Sequence, residues 1–227
     1  IYEPLGRLVG IQKEYFDNDF DNEMAARMSN VPADQIVTPR ISIAAPTIQG
    51  ISYTVEEPEL KEMYLNLLAT ASDARVQSTA HPSFAEVIRQ LSTDEATVLK
   101  DILEEPAHAI IEVQLKTADA SNPSADGYNV LATNVMNWHN GEDSQVYVPT
   151  NAMYVDNWTR LGLVNVNYLS SFSDQSNYDW TDTTPVVVES RAQYDTNNFP
   201  RVDLQKGLLR VTDFGRRFYE VVIASGG

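Results

Sequence analysis

The sequence has no cysteine, three histidines and ten glycines among 227 residues, and each scarcity excludes a class of site. Without cysteine there is no disulfide, no thiol nucleophile and no thiolate-held zinc or iron–sulfur centre. The few glycines form neither a P-loop nor the G-x-S-x-G turn of a serine hydrolase. No run of about 18 apolar residues occurs, so no membrane-spanning segment is predicted. Since the chain begins with Ile1, we expect it to have been trimmed or processed.

Positive charge is also scarce, with 16 Lys and Arg against 32 Asp and Glu and a net charge of -16. Residues 101–200 alone hold fourteen acids and three bases. Such a field repels phosphates and anionic lipids, so nucleic acid is not expected as a partner. Five bases gather late in the chain, and we interpret this candidate basic patch as a solvated face or a docking surface. Its members are Arg201, Lys206, Arg210, Arg216 and Arg217.

Local catalytic and metal-binding motifs are missing from the sequence. The histidines, His81, His108 and His139, stand in none of the H-x-x-H, H-E-x-x-H or H-x-E spacings that hold a metal. We expect His81, just before Pro82, to cap a helix start. We therefore predict no cofactor, no metal and no enzymatic activity. Acids that are scattered in sequence can still converge in space, so a cryptic hydrolase stays an alternative.

The first 50 residues are predicted to form a polar, helical lead-in followed by an extended strap. The strap, residues 31–50, carries prolines that disfavour a long helix. These prolines are Pro32, Pro39 and Pro46.

Residues 51–106 hold the strongest helix signals, and we predict a helical core there. The first helix has Pro58 at its start and acids around it, which suit the positive N-terminal end of a helix. A second helix follows His81. A third opens with a capping box, in which Ser92 and Glu95 satisfy each other's free amides.

Residues 107–227 are predicted to form an α+β half with a helix over 150–161 and two insertions, 117–147 and 169–206. Strand patterns occur in four segments of this half: 109–115, 163–168, 186–194 and 208–212. The predicted fold class of the whole chain is therefore α+β.

Two turns in this half resemble the winged-helix pattern. Arg160-Leu161-Gly162-Leu163-Val164 ends a helix before a strand, and Val211-Thr212-Asp213-Phe214-Gly215 starts the final helix. On that pattern, 93–103 is the first helix and 150–161 the recognition helix of a degenerate winged-helix-like half. The recognition-type helix offers one arginine, Arg160, and is a poor reader of bases. A winged-helix DNA-binding regulator nevertheless stays an alternative.

The irregular insertions carry aromatic residues that are a candidate protein-recognition surface if they are exposed. The other interpretation is that the loop is buried over its own domain. The candidate interaction surface comprises Phe172, Tyr178, Trp180, Trp138 and His139.

The segment 51–99 resembles the abortive-infection alpha (Abi-alpha) family of bacterial proteins. The resemblance is carried by Glu57, Glu59-Leu60, Glu62-Met63, Asn66-Leu67-Leu68-Ala69, His81-Pro82-Ser83-Phe84 and Leu91-Ser92-x-Asp94-Glu95-Ala96. It implies a role in phage defence, in which infection is aborted at the host cell's expense, and it brings no established catalytic residues. We therefore predict a cytoplasmic, non-enzymatic interaction protein that binds a protein partner or forms a homo-oligomer.

Overall fold

The fold is α+β, with many helices and a four-stranded antiparallel sheet. The computed structural model describes residues 12–117, 127–138, 149–195 and 201–224. The chain divides into two compact units. Unit 1 comprises Ile1–Glu104 and Asp213–Gly227, and unit 2 comprises Glu105–Thr212. The end of the chain therefore belongs with the N-terminal helices, although the whole of unit 2 separates them in sequence.

Helices come both before and after the strands along the chain. The α-helices are α1 (12–18), α2 (Phe20–Arg27), α3 (Ile41–Tyr53), α4 (Pro58–Ser72), α5 (Ser83–Ile88), α6 (Thr93–Glu104), α7 (Pro149–Arg160), α8 (Pro185–Tyr194) and α9 (Asp213–Phe218). The strands are β1 (Ala107–Lys116), β2 (Tyr128–Met136), β3 (Val164–Asn167) and β4 (Val202–Val211). Short 3-10 helices cover Ala33–Gln35, Gln77–Thr79 and Gln175–Thr183, and a π-helix covers Tyr219–Ile223.

The helix starts predicted for unit 1 are confirmed by their hydrogen bonds. The backbone N–H of Ser92 donates to Glu95 Oε2 at 2.9 Å, and the N–H of Glu95 donates to Ser92 Oγ at 3.2 Å. At the start of α5, the backbone N–H of Ser83 donates to His81 Nδ1 at 3.2 Å. These side chains satisfy amides that a helix leaves unpaired at its N-terminus.

The prediction of an extended strap over residues 31–50 is wrong for its second half. Residues from Ile41 onward form helix α3, with Pro46 inside it. A proline within a helix removes one backbone hydrogen bond and costs about 3 kcal/mol. Helix α3 forms nevertheless, because it buries a stripe of residues and packs along α4. The stripe consists of Ile43, Ala44, Thr47, Gly50 and Ile51.

Helix α4 is the centre of unit 1 and is buried on most of its surface. The closing π-helix packs against it and buries Val221 and Val222. Two polar side chains of α4 reach its carbonyls: Asn66 Nδ2 donates to Val222 O at 3.0 Å, and Thr70 Oγ1 donates to Val221 O at 3.5 Å. A helix C-terminus leaves carbonyls without partners, and these two side chains supply donors there.

The sheet of unit 2 has the strand order β2-β1-β4-β3, and every neighbouring pair is antiparallel. The strands predicted over 109–115, 163–168 and 208–212 correspond to β1, β3 and part of β4. The strand predicted over 186–194 is wrong, because these residues form α8. Its valines favour a strand, but Pro185 stands at the first helical position and Val187 and Ser190 share a buried helical face.

The two turns behind the winged-helix comparison bond to each other. Gly162 has a φ of 77°, the left-handed conformation that glycine adopts at the end of a helix. Its carbonyl accepts from Thr212 Oγ1 at 2.6 Å, and Leu163 O accepts from the N–H of Thr212 at 3.0 Å. Strands β3 and β4 therefore meet at this corner. The predicted first helix, 93–103, lies in unit 1, and the winged-helix likeness stays a prediction.

Candidate functional site

The aromatic residues of the insertions point into unit 2 rather than out of it. Tyr178 is 2% exposed and belongs to a core cluster against which Phe172 and Trp180 pack. Its hydroxyl donates to Gly207 O at 2.8 Å and accepts from the N–H of Phe172 at 3.1 Å. Tyr178 is therefore a structural residue and not part of an exposed recognition surface. The same cluster contains Ile111 of β1, which is fully buried.

Of the other two members of the candidate interaction surface, Trp138 is buried as well. Trp138 is 9% exposed and lies against Trp158, with ring centroids 6.1 Å apart. His139 lies outside the described residues. Tyr178 and Trp138 are therefore corrected to buried residues, because large aromatic side chains gain free energy by covering the sheet. Phe172 and Trp180 are half-buried, and an interaction surface that includes them stays a prediction.

The candidate basic patch is divided between the two units. Arg201, Lys206 and Arg210 lie on or beside β4 in unit 2, whereas Arg216 and Arg217 lie on α9 in unit 1. Successive residues of a strand alternate between its faces, so Lys206 and Arg210 share a face of β4, whereas Arg201 precedes the strand. The five residues therefore do not follow one secondary-structure element, as their closeness in sequence suggested.

Several of these bases already have partners. Lys206 Nζ donates to Gln175 Oε1 at 2.8 Å and lies 4.8 Å above the ring of Tyr178. Arg217 forms an ion pair with Glu220 at 2.7 Å. Contacts within the chain therefore already satisfy part of the positive charge of Lys206 and Arg217.

Several polar side chains of α7, which a DNA-reading helix would present to the bases, are buried or hydrogen-bonded within the chain. Asn151 is buried, and Asp156 accepts from Asn134 Nδ2 at 2.8 Å. Arg160 Nη2 donates to Asn157 Oδ1 at 2.6 Å. The helix offers few uncommitted donors to base edges.

The titratable groups do not gather around a metal-type centre within the described ranges. Over 12–117, 127–138, 149–195 and 201–224, no group of three or more His, Asp or Glu side chains is close enough to hold a metal ion. His81 is used at the start of α5, where its ring also meets Phe214 edge-on at 6.2 Å. In the same ranges, no helix combines the length and hydropathy needed to cross a bilayer.

A cleft of about 470 Å³ opens in unit 1 where α3, α4 and α5 meet. This volume lies within the range of about 300–1,000 Å³ that is usual for ligand sites. The buried residues of its lining are mostly apolar and form its walls, whereas the exposed residues are mostly polar and form its mouth. Its lining residues are Pro46, Gln49, Gly50, Tyr53, Thr54, Glu57, Leu60, Tyr64, Ala85, Glu86, Ile88, Arg89 and Leu91.

Tyr64 forms part of the lining from the side of α4. It is 2% exposed, its hydroxyl donates to Ala85 O at 3.3 Å, and burial raises its pKa to about 12. The hydroxyl is therefore protonated at neutral pH. Its ring lies directly on α3 at Gly50, where a Cβ atom would stand 2.2 Å from Tyr64 Cζ. Glycine at this position lets the ring reach the cleft.

The mouth of the cleft carries charge and one exposed aromatic ring. Glu86 and Arg89 form an ion pair, with Arg89 Nε donating to Glu86 Oε2 at 2.9 Å. Glu57 Oε2 accepts from Thr93 Oγ1 at 2.6 Å, which is a neutral donor. Tyr53, at the end of α3, is 67% exposed. The cleft can therefore take a ligand with a positive group and an apolar part.

None of the residues that line this cleft is among the site residues predicted from the sequence. In the sequence, Tyr64 lies within a helical pattern of apolar residues and Glu57 lies among acids at a helix start, and neither pattern signals a site. The signal that could have found the cleft is Gly50, because a glycine inside a helix commonly marks a close packing contact. Because an extended strap was predicted over residues 31–50, α3 was missed, and α3 forms one wall of the cleft.

A second, smaller depression of about 240 Å³ in unit 1 surrounds Asn66. Asn66 Oδ1 accepts from Arg27 Nε at 3.3 Å, and Arg27 pairs with Glu62. Nearby, Lys61 pairs with Glu23 at 2.9 Å. These contacts tie α2 to α4, so we interpret this region as structural.

Comparisons with known proteins identify the family. The model of the family described as abortive infection alpha matches residues 12–222. No curated protein matches the chain. Among solved structures, it is similar to an uncharacterized protein from the hydrocarbon-degrading marine bacterium Alcanivorax borkumensis SK2, with 16% identity, a TM-score of 0.34, and coverage of 61% of this chain and 90% of that one. That likeness is too low to carry an argument, but the family match spans nearly the whole chain. This protein therefore belongs to the abortive infection alpha family.

Proposed function

We propose that this protein takes part in bacterial defence against phage by abortive infection, and that it acts by binding another protein rather than by catalysis. The observation that carries the proposal is the family match over residues 12–222. A cytoplasmic location is part of the proposal, because phage genes are expressed there.

The non-catalytic part of the proposal is supported by how the reactive groups are used. His81 serves a helix start, and burial raises the pKa of Tyr64 to about 12, which disfavours its nucleophilic phenolate form further than in an exposed tyrosine. The acids around the cleft are a helix-start residue, Glu57, and one half of an ion pair, Glu86. None of these arrangements provides the paired nucleophile and oriented base that covalent catalysis uses.

A protein partner is preferred to DNA on grounds of charge. At a net charge of -16 the chain repels a polyanion, and the loss of affinity deepens as salt is lowered. The engaged polar residues of α7, Asn151 and Asp156, support the same preference.

We expect the tagged protein, isolated from phage-infected bacteria, to elute with a second protein in a fixed ratio or as a homo-oligomer by light scattering. Genomic fragments in a low-salt gel shift should stay unshifted, because the acidic chain repels them. A protein that stays monomeric and partner-free in infected extracts, and also turns over a substrate, would sink the proposal. A shifted DNA band would favour the regulator instead.

A further inference from the structure

We propose that the unit 1 cleft binds a basic segment of the partner protein, with a Lys or Arg side chain entering beside Glu57. The inference rests on the proposed function, which requires a protein partner without naming its chemistry. The charge of the cleft, its apolar walls and the exposed ring of Tyr53 indicate which kind of partner segment would fit.

The charges of the cleft sum to a negative value. Among its lining residues, the charged side chains are Glu57, Glu86 and Arg89. Glu86 and Arg89 neutralise each other in their ion pair. Glu57 is bonded to the neutral hydroxyl of Thr93, so this contact leaves its negative charge uncompensated. A cation is therefore the group that this cleft attracts.

The charge of Glu57 is built into the local structure. Glu57 is the N-cap residue of α4, and Glu59 follows in the first turn. The positive end of the helix dipole favours the ionised carboxylate at this position by about 0.3–1 kcal/mol, and its partial charge of roughly +0.5 offsets only part of the full negative charge. Helix α3, on the other side of the cleft, contains no charged residue and does not offset it.

The walls suit the aliphatic stem of a long basic side chain. Leu60, Ile88 and Leu91 line the interior, and Lys and Arg commonly bury their methylene stems against such surfaces. Tyr53 at the mouth offers an exposed ring face, which attracts a cation that approaches within about 6 Å of its centroid. The occupant is thus a segment with apolar residues beside a basic one.

The charge of the whole chain favours the same occupant. A net charge of -16 steers basic partners toward the molecule and raises their association rate. A nucleic acid or an acidic peptide meets repulsion instead, and a second copy of this chain, with the same net charge, is disfavoured as the occupant of this cleft. The observations therefore favour a basic protein segment over these other occupants.

The test uses the full chain and a fluorescein-labelled Lys-Leu-Ala repeat peptide, with binding followed by fluorescence anisotropy at physiological salt. The Glu57→Gln variant keeps an oxygen for Thr93 but loses the charge, and we expect about a tenfold loss of affinity. Glu104→Gln is the matched control, because it has the same net charge and its exposed side chain is not part of the cleft. It should bind like the wild type.

Tyr53→Ala provides a second probe, since so exposed a side chain can be removed without disturbing the fold. It should also weaken binding of the basic peptide, and a Glu-Leu-Ala repeat should not bind at all. Equal affinity of the Glu57→Gln and Glu104→Gln proteins would overturn the inference, since overall charge alone would then explain binding. Phage protection in cells is measured in a separate assay. Loss of peptide binding specificity would therefore contradict the cleft proposal alone, and loss of protection would contradict the defence proposal.

Discussion

A chain that ends at Thr212 is expected to lose the folded state of unit 1. It lacks α9 and the π-helix, whose Phe218, Val221 and Val222 are at most 2% exposed. Burying each of these side chains contributes about 1.5–3 kcal/mol, and the total stability of a domain is about 5–15 kcal/mol. Asn66 also loses its acceptor, the carbonyl of Val222. The truncation therefore removes a large share of the stability of unit 1.

The measurement is thermal unfolding of the purified chains by far-UV circular dichroism. The control chain ends at Ala224 and keeps every described residue of the closing segment. We expect it to melt like the full chain, whereas the chain ending at Thr212 should lose much of its helical signal or precipitate. A truncated chain with an unchanged melting curve would show that unit 1 does not need the closing helix.

Replacing Gly50 by Ala is expected to destabilise unit 1 by about 2 kcal/mol, because the core is overpacked there. The new Cβ would lie 2.2–2.7 Å from three ring atoms of Tyr64, and the ring is too buried to move away freely. On an ordinary helix the same change would stabilise, since Ala is about 1 kcal/mol better than Gly in a helix interior. The sign of the effect therefore reports the contact between α3 and α4.

A double-mutant cycle isolates this contact. In a Tyr64→Leu background the three ring atoms are gone, and Gly50→Ala should then be neutral or stabilising. Chemical denaturation of the four proteins gives the free energies of unfolding. If Gly50→Ala raises the stability of the protein with Tyr64 intact, the ring does not lie on Gly50 as described.

The elements that could be predicted from sequence are those with local start signals. Helix α6 has a capping box and α4 has Pro58, and both formed where they were expected. Helices α3 and α8 were missed because tertiary burial outweighed local preference: Pro46 lies inside α3, and the valines of α8 lie on a helix.

The candidate site could not be predicted, because its residues come from three helices whose packing is set by non-local contacts. Glu57, Tyr64 and Arg89 have unremarkable positions in sequence, and only the meeting of α3, α4 and α5 brings them together. The burial of Tyr178 could not be predicted for a related reason. A Tyr in a polar loop is compatible with exposure, but Tyr178 is recruited to cover the sheet. Whether a single side chain is buried depends on its tertiary contacts, and these cannot be read from the local sequence.

The central claim is tested most directly by infecting bacteria that express this protein, and matched bacteria with an empty vector, at low and at high ratios of phage to cells. Abortive infection predicts that the expressing culture survives at the low ratio, whereas at the high ratio its cells stop growing or die and release few new phage. Equal phage yield per infected cell in the two cultures, with equal survival at both ratios, would contradict the account.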